Sequence, residues 1–426
     1  MPLKQFLLDA LSSLPGARTL HLYNLVASPT RDKELFVYAP IRPKIHVRHH
    51  LVLLAQHAPD KPTERVFICA IEAFLYTIPS TSSAILYISK VDSSGQAEIR
   101  PNPTRALVTA FLEYYSSLNN RPAPNLWIHV FARAQNQYLF PNSAEHPGKR
   151  VLRDISLCKW WKDLIEQVAR KSDPSWRRLP HLNKSFTSPA STSGYPWTYS
   201  HPYHQTDVRP PCGDTSSPSN DKPRSNKSVS PAAQRALAAV PIDEFWERIA
   251  YRQECSQGAI TGFFTALFTA PNGAGSVSVP PSHFYEPALP PSPPGEIITM
   301  LMNLDFGTTE RARRGTSVLV DAIHSLCDKG SSSSIPHPQA SQPRPQEEEP
   351  PEGNTSIMDD MAEETPVGGS GAATAFEDHI YGCVVLDNPP LPSDPVPKEG
   401  STGGGSGEPP VTILQVRKKK RPVAPS

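Results

Sequence analysis

The chain has 426 residues, enough for one large or two small domains, and its 49 prolines exceed what a fully globular chain carries. A formal net charge of +1 hides an acidic block and a basic tail, and six cysteines without a CxxC pair argue against a zinc site or a disulfide framework and suit a reducing compartment. No apolar run reaches the roughly 18 residues of a membrane span, so no membrane association is expected, and Asp9 follows Phe6-Leu7-Leu8 too closely for a signal peptide.

Residues 1–175 are the well-patterned part. Leu3, Phe6, Leu7, Ala10, Leu11 and Leu14 keep helical spacing. Extended runs follow at Leu20–Val26, Leu35–Tyr38, Val47–Leu54, Arg65–Thr77 and Ala84–Lys90, rich in Val, Ile, Phe and Tyr. A helix is expected from Pro103 or Thr104 through Leu118, with Leu107, Phe111, Leu112 and Tyr115 on one side. A strand at Leu126–Arg133 leads into the aromatic turn Gln137–Pro141, and Asp154 caps a further helix. On that helix Leu157, Trp161, Leu164 and Val168 share a stripe, whereas Trp160 points about 100° away and needs another surface or a ligand. Helix packing of both tryptophans is the simpler alternative. The alternation of strands and helices predicts an α/β fold, a mixed central sheet flanked by helices.

Further on, residues 176–235 turn rich in Ser, Pro, Asn and Thr, a loop-like insert. A helix at EFWERIAYRQEC and a buried strand at Ala259–Phe268 come next, then a Pro-rich gap and helices at Glu296–Leu304 and Thr309–Leu326. The expected division is a domain over 1–328 with loop-like inserts at 176–240 and 271–295, a disordered acidic and Gly/Ser linker over 329–410, and a basic tail over 411–426. The tail's five consecutive cations, Arg417–Arg421, read as a nuclear localisation signal, as a histone- or DNA-proximal arm, or as an unattached cationic end.

Candidate sites are few. Asp92-Ser93-Ser94-Gly95 suits a type I hairpin turn, or else a carboxylate at a strand end beside a cleft. Arg100, Arg105, Arg133, Lys149 and Arg150 lie at element ends, where they are either solvated surface charge or, with a helix N-terminus, a phosphate site. There is no Walker A loop, no GxGxxG after a strand and no GxSxG elbow. His46, His49 and His50 make a metal cluster by count alone, because His49 and His50 face opposite sides of a strand, so no metal is expected. Cys158 reads as core rather than nucleophile.

Taken together, ISKVDSSG at Ile88–Gly95, QYLFPNS at Gln137–Ser143 and KWW at Lys159–Trp161 resemble the fungal histone H3 acetyltransferases of the regulator-of-Ty-transposition type, relatives of the metazoan CREB-binding-protein acetyltransferases. MPLKQFLLDAL at the start, FWERIAYRQE at Phe245–Glu254 and the basic tail add weaker support, and the likeness covers 1–175 and 240–268. The resemblance implies an acetyl-CoA-dependent histone acetyltransferase. It would act on H3–H4 presented by histone chaperones, at an H3 core-helix site and on tail lysines. That activity would serve replication-coupled nucleosome assembly and DNA repair in the nucleus, without sequence-specific nucleic-acid binding. By position, Val91, Asp92, Ser93, Arg100, Arg105, Phe131, Gln135, Lys149, Arg150, Val151, Leu152 and Trp160 would hold acetyl-CoA, and Asp92, Tyr138 and Trp161 would lie where the substrate lysine arrives. The family also carries an acidic pair and an autoacetylated lysine in an FPDDPKxRF-like segment. The nearest counterparts here are Asp221 as catalytic acid and Lys222 as autoacetylation candidate, within SPSNDKPRSNK. That departure leaves a second reading open, a catalytically impaired chromatin protein that binds histones or a histone chaperone.

Overall fold

The structure, a computed structural model, describes residues 1–36, 42–58, 61–97, 101–172, 261–269, 292–331 and 379–390, with single positions at 240, 241, 244 and 289. In chain order the elements are α1 (Leu3–Ser12), β1 (Gly16–Val26), β2 (Thr30–Asp32), β3 (Ile45–Ala58), β4 (Lys61–Ile78), β5 (Ser83–Ser93), α2 (Thr104–Ser116), β6 (Asn125–Arg133), α3 (Asp154–Ser172), β7 (Thr261–Thr269), α4 (Pro293–Leu301), α5 (Thr309–Ser331) and β8 (Tyr381–Asn388). The strands form one mixed sheet in the order β7-β6-β5-β4-β3-β1-β8, with β2 on the side of β3. Every pairing is antiparallel except β5 with β6, which α2 connects as a crossover. The expected mixed α/β architecture is present.

Long apolar runs form the central strands because both of their faces are covered. In β3, Leu51 to Ala55 are all fully buried, as are Phe67 to Ile71 in β4. Helices α1, α2 and α3 pack side by side, Phe6 of α1 meeting Tyr114 of α2 edge-on at 5.6 Å. Helix α5 packs on β4, where the Phe67 amide donates to Thr316 Oγ at 2.9 Å. That hydroxyl in turn donates to the Ala312 carbonyl at 2.8 Å, so one threonine fastens helix to sheet.

Four expectations need correction. Residues Leu35 and Phe36 are not in a strand: Asp32 Oδ1 accepts the amides of Glu34 and Leu35, an Asx-type turn, and Phe36 has φ 58. Helix α3 begins at Asp154, so the carboxylate sits in the first turn and the Arg153 carbonyl accepts the first helical bond, from Leu157 N at 2.8 Å. No hairpin turn forms at Asp92–Gly95; β5 runs through Ser93, and the crossover to α2 follows. Finally, the stretch expected to be disordered over 329–410 contains β8, paired with β1 from Gly16↔Asn388 to Tyr23↔Tyr381. Leu386 is buried, Gly382 lies against Leu8, and Asn388 Nδ2 donates to the carbonyls of Ser12 and Leu14 at the end of α1.

Candidate functional site at the divergence of β5 and β6

The parallel ladder between β5 and β6 ends at Ile88↔Val130. Beyond it β5 follows β4 to Ser93↔Cys69, and β6 follows β7 to Arg133↔Thr261. The cause is local. In the β4–β5 register Ala73 pairs with Ile88 and Glu72 with Lys90, so Ser89 is an extra residue, a β-bulge. A bulge bends its strand and increases its twist, which turns β5 away from β6. The backbone edges at Ser89–Val91 and Phe131–Ala132 then face a cleft of about 740 Å³ at the carboxyl ends of the two parallel strands, within the range of small-molecule sites.

Four pieces close the cleft. The start of α2 supplies Asn102, Thr104 and Arg105, and α3 supplies Leu157, Trp160 and Trp161. The aromatic turn contributes Tyr138, and the loop before α3 contributes His146 to Leu152. Trp161 is 5 % exposed and joins the core with Leu164 and Val168, as its stripe predicts. Trp160 stands perpendicular to it, centroids 4.9 Å apart, and faces the cleft under the Arg105 guanidinium, 6.0 Å from its ring. Arg105 also donates to Gln167 Oε1 at 3.2 Å, joining the start of α2 to α3. Cys158 is fully buried against β7, where a side chain at Gly262 would meet its Sγ at 2.8 Å.

Asp92 is the carboxylate among the described lining residues, and it is 6 % exposed. Its Oδ2 accepts three successive amides, Tyr138 at 2.8 Å, Leu139 at 2.9 Å and Phe140 at 3.2 Å. Its Oδ1 accepts the Ser93 amide at 2.8 Å and the Lys149 ammonium at 2.5 Å. Lys149 Nζ donates also to the Ser93 carbonyl, and its side chain is only 5 % exposed. Gly95, at φ +83, lies so close to the loop that a Cβ would meet Lys149 N at 2.7 Å. Burial first, and then the charge of Asp92, pushes the Tyr138 phenol up to about 12, so it stays protonated across the neutral range.

Of the residues expected at the site, Val91, Asp92, Ser93, Arg105, Phe131, Gln135, Tyr138, Lys149, Arg150, Val151, Leu152, Trp160 and Trp161 all line this one cleft. Arg100, Asp221 and Lys222 lie outside the described residues. The cleft adds lining residues that the sequence reading missed. Asn102 Oδ1 accepts the Thr104 amide at 2.9 Å just ahead of α2, an Asx-type turn that the NPT spelling signals. His146 Nδ1 accepts the Gly148 amide at 3.1 Å, while Nε2 meets Thr309 Oγ at 3.3 Å, contacts that no local pattern announces. Among the described residues no group of three or more potential metal ligands comes together. His49 stacks on Phe74 and pairs with Glu72 at 3.3 Å, while His50 is buried against Phe111 and Tyr115, where burial takes it down to about 3. No described helix is long and apolar enough to cross a membrane.

A mixed sheet whose parallel pair diverges around an aromatic cleft bordered by Arg105 and Arg150 defines the class: an α/β protein with a ligand-sized cleft between two strands. A family model described as the histone acetyltransferase KAT11-type domain matches residues 102–322, just over half of the chain. This chain belongs to that family. It is similar to the histone acetyltransferase rtt109 of Aspergillus flavus, 25% identical over 372 residues, which is 75% of this chain and 65% of that relative. It is also similar to the histone acetyltransferase rtt109 of Schizosaccharomyces pombe, 26% identical over 272 residues, 59% of this chain and 69% of the relative. Among solved structures, Rtt109 from Aspergillus fumigatus shares the fold with a TM-score of 0.57 at 24% identity, over 75% of this chain and 96% of that one.

Proposed function

We propose that this chain is a histone lysine acetyltransferase that takes its acetyl group from acetyl-CoA held between β5 and β6. The observation that carries the reading is the Ser89 bulge and the cleft it opens, in a chain of the KAT11-type family. Acetyl-CoA supplies the activated thioester. The free backbone edges at Ser89–Val91 and Phe131–Ala132 suit the amides of a pantetheine arm, which would pair as an added strand does. The start of α2 with Arg105, and Arg150 on the facing loop, suit the phosphates. Val91, Phe131, Leu157 and Trp160 form the apolar wall between these ends.

Transfer needs a neutral amine, and a free lysine has a pKa of about 10.4. The half-buried rings of Tyr138 and Trp160, with the buried Trp161 behind them, disfavour the charged form by desolvation, which moves that value toward neutrality. Asp92 has its acceptor sites filled, so the proton passes to water or to a group outside the described residues, with Asp221 the counterpart in sequence. Lys222 and Arg100 keep their assigned roles as autoacetylation candidate and phosphate ligand on the resemblance alone.

The substrate reading is histone H3, at a core-helix lysine and on the tail, delivered as H3–H4 on a histone chaperone in the nucleus during nucleosome assembly and repair. The relatives' names support histones, and the cations at Arg417–Arg421 support nuclear import or an electrostatic arm. The catalytic unit is assigned to residues 1–328, completed by β8. The SPSNDKPRSNK spelling favours one alternative, a chromatin protein of impaired activity. Acetyl transfer to purified H3–H4, with and without a chaperone and read site by site by mass spectrometry, tests both. Site-selective, chaperone-stimulated acetylation is expected. A folded protein that binds CoA and transfers nothing would establish the alternative.

A further inference from the structure

The Asp92 carboxylate receives five donors, whereas a carboxylate offers about four lone-pair sites. Such a group has no capacity left for a substrate proton. What it does have is reach. Besides the adjacent Ser93, its partners lie 46, 47, 48 and 57 residues further along the chain, and they belong to two separate segments, the turn 138–140 and the loop at Lys149. Lys149 returns a bond to the Ser93 carbonyl and its backbone packs on Gly95, so the loop is fastened to the end of β5 just past the carboxylate. The far side of the turn is tied down as well: the Phe306 amide donates to the Pro141 carbonyl at 2.8 Å, and the Phe140 and Phe306 rings meet at 4.8 Å.

We infer that Asp92 and Lys149 are a positioning pair: they hold the turn bearing Tyr138 and the loop running to Leu152 against the end of β5, and so give the cleft its wall. Neither acts as the proton acceptor or as a direct phosphate ligand. The inference rests on the reading of the cleft as an acyl-CoA site for its consequence, but the pair itself is a matter of structure. An ionised carboxylate is the one side chain that can accept three adjacent amides and an ammonium at once; an amide in its place would turn an N–H toward one set of donors. A lysine ammonium suits the remaining position because its three donors are enough to reach both Asp92 and Ser93.

The test is amide hydrogen exchange, CoA calorimetry and a pH–rate profile on the full chain, comparing Asp92→Asn and Lys149→Met with the wild type. Exchange at Tyr138, Leu139 and Phe140 is expected to rise at least about tenfold in Asp92→Asn, with the β3 and β4 amides unchanged. CoA affinity is expected to fall about tenfold in each variant, and the double variant should lose far less than the product of the two. The acid limb of the turnover profile should keep its midpoint in Asp92→Asn. Unchanged exchange at 138–140 with a lost acid limb would make Asp92 a proton acceptor and overturn the inference. Full additivity of the two substitutions would overturn it too. Should Asp92→Asn not fold, Lys149→Met carries the same exchange measurement over the 146–150 loop, where no change would count against the pair. If the wild type fails to bind CoA, the reading of the cleft falls, while the exchange result still decides the pair.

Discussion

Strand β5 contributes to two carboxylate–lysine pairs two residues apart, and they differ in what they hold. At Lys90 the ammonium meets Glu72 Oε2 at 2.5 Å, and both partners sit on adjacent strands already joined by the ladder. Lys90 is 36 % exposed in its side chain, and His49 and Ser89 complete a purely side-chain cluster. At Asp92 the distance to Lys149 is the same 2.5 Å, yet both side chains are 5 % exposed, and most of the donors to the carboxylate are backbone amides of distant segments. The first pair decorates a sheet that exists without it. The second joins two distant segments to the end of β5. Ion-pair length is therefore no guide to consequence here; the number of chain segments that depend on the carboxylate is.

The largest effect is expected from Asp92→Ala. It leaves an ammonium and four amides without the carboxylate they share, and breaking a buried pair in this way costs about 3–5 kcal/mol. Denaturant unfolding checks it, and a loss below about 1 kcal/mol would erase the contrast between the two pairs. Glu72→Gln comes next and should read out through acid. Burial raises the Glu72 carboxyl, but hydrogen bonds from His49, Lys90 and Ser89 outweigh it and bring the group down to about 2, from an ordinary 4.5. A depressed carboxyl stabilises the fold fully above the unfolded value, and loses that contribution as pH falls from 4.5 through 2. The contribution is at most about 3 kcal/mol by that difference. Unfolding free energy followed between pH 6 and 2 should fall less steeply in Glu72→Gln than in the wild type. Parallel curves would remove Glu72 from the ledger.

A smaller effect is expected at the cleft rim. Arg105→Ala together with Arg150→Ala removes two cations that are not among the donors to Asp92, and should weaken CoA about tenfold, about 1.4 kcal/mol. Because Arg150 is exposed, the loss should shrink as salt rises. A salt-independent loss would mean that Arg105 acts instead by holding α2 to α3 through Gln167.

Much of this organisation could be read in advance, for identifiable reasons. The strands β1, β3, β4, β5, β6 and β7 are apolar runs bounded by turn residues, and the tryptophan stripe has a period that only a helix satisfies, so both announce themselves locally. Strand β8 did not. Its YGCVVLDN spelling is short and lies in an acidic, Gly/Ser-rich stretch, and what orders it is the free edge of β1, some 360 residues away. The site divides along the same line. Trp160 and Arg105 stood out by position and type as cleft-lining candidates, and Tyr138 by the resemblance. The saturation of Asp92 was not, because its partners are 46 to 57 residues distant and mostly backbone. Local spelling offered a hairpin turn or a carboxylate at a strand end beside a cleft; the second describes Asp92, and the contacts add that its acceptor sites are taken.

The smallest effect sharpens the contrast between groups that move protons and groups that hold shape. Tyr138 touches Asp92 only through its backbone amide, so Tyr138→Phe leaves the wall intact. Its hydroxyl, held near 12, cannot serve as a base near neutrality. Nor is it matched to a departing thiolate, since an ordinary thiol has a pKa of about 8.5 and the transfer would run uphill by several units. What remains is one hydrogen bond, about 1 kcal/mol, so turnover should fall by no more than about fivefold. The pH profile between 6 and 9 should keep its shape, and exchange at residues 138–140 should match the wild type. A displaced limb in that profile would return Tyr138 to proton transfer and leave Asp92 alone on the structural side.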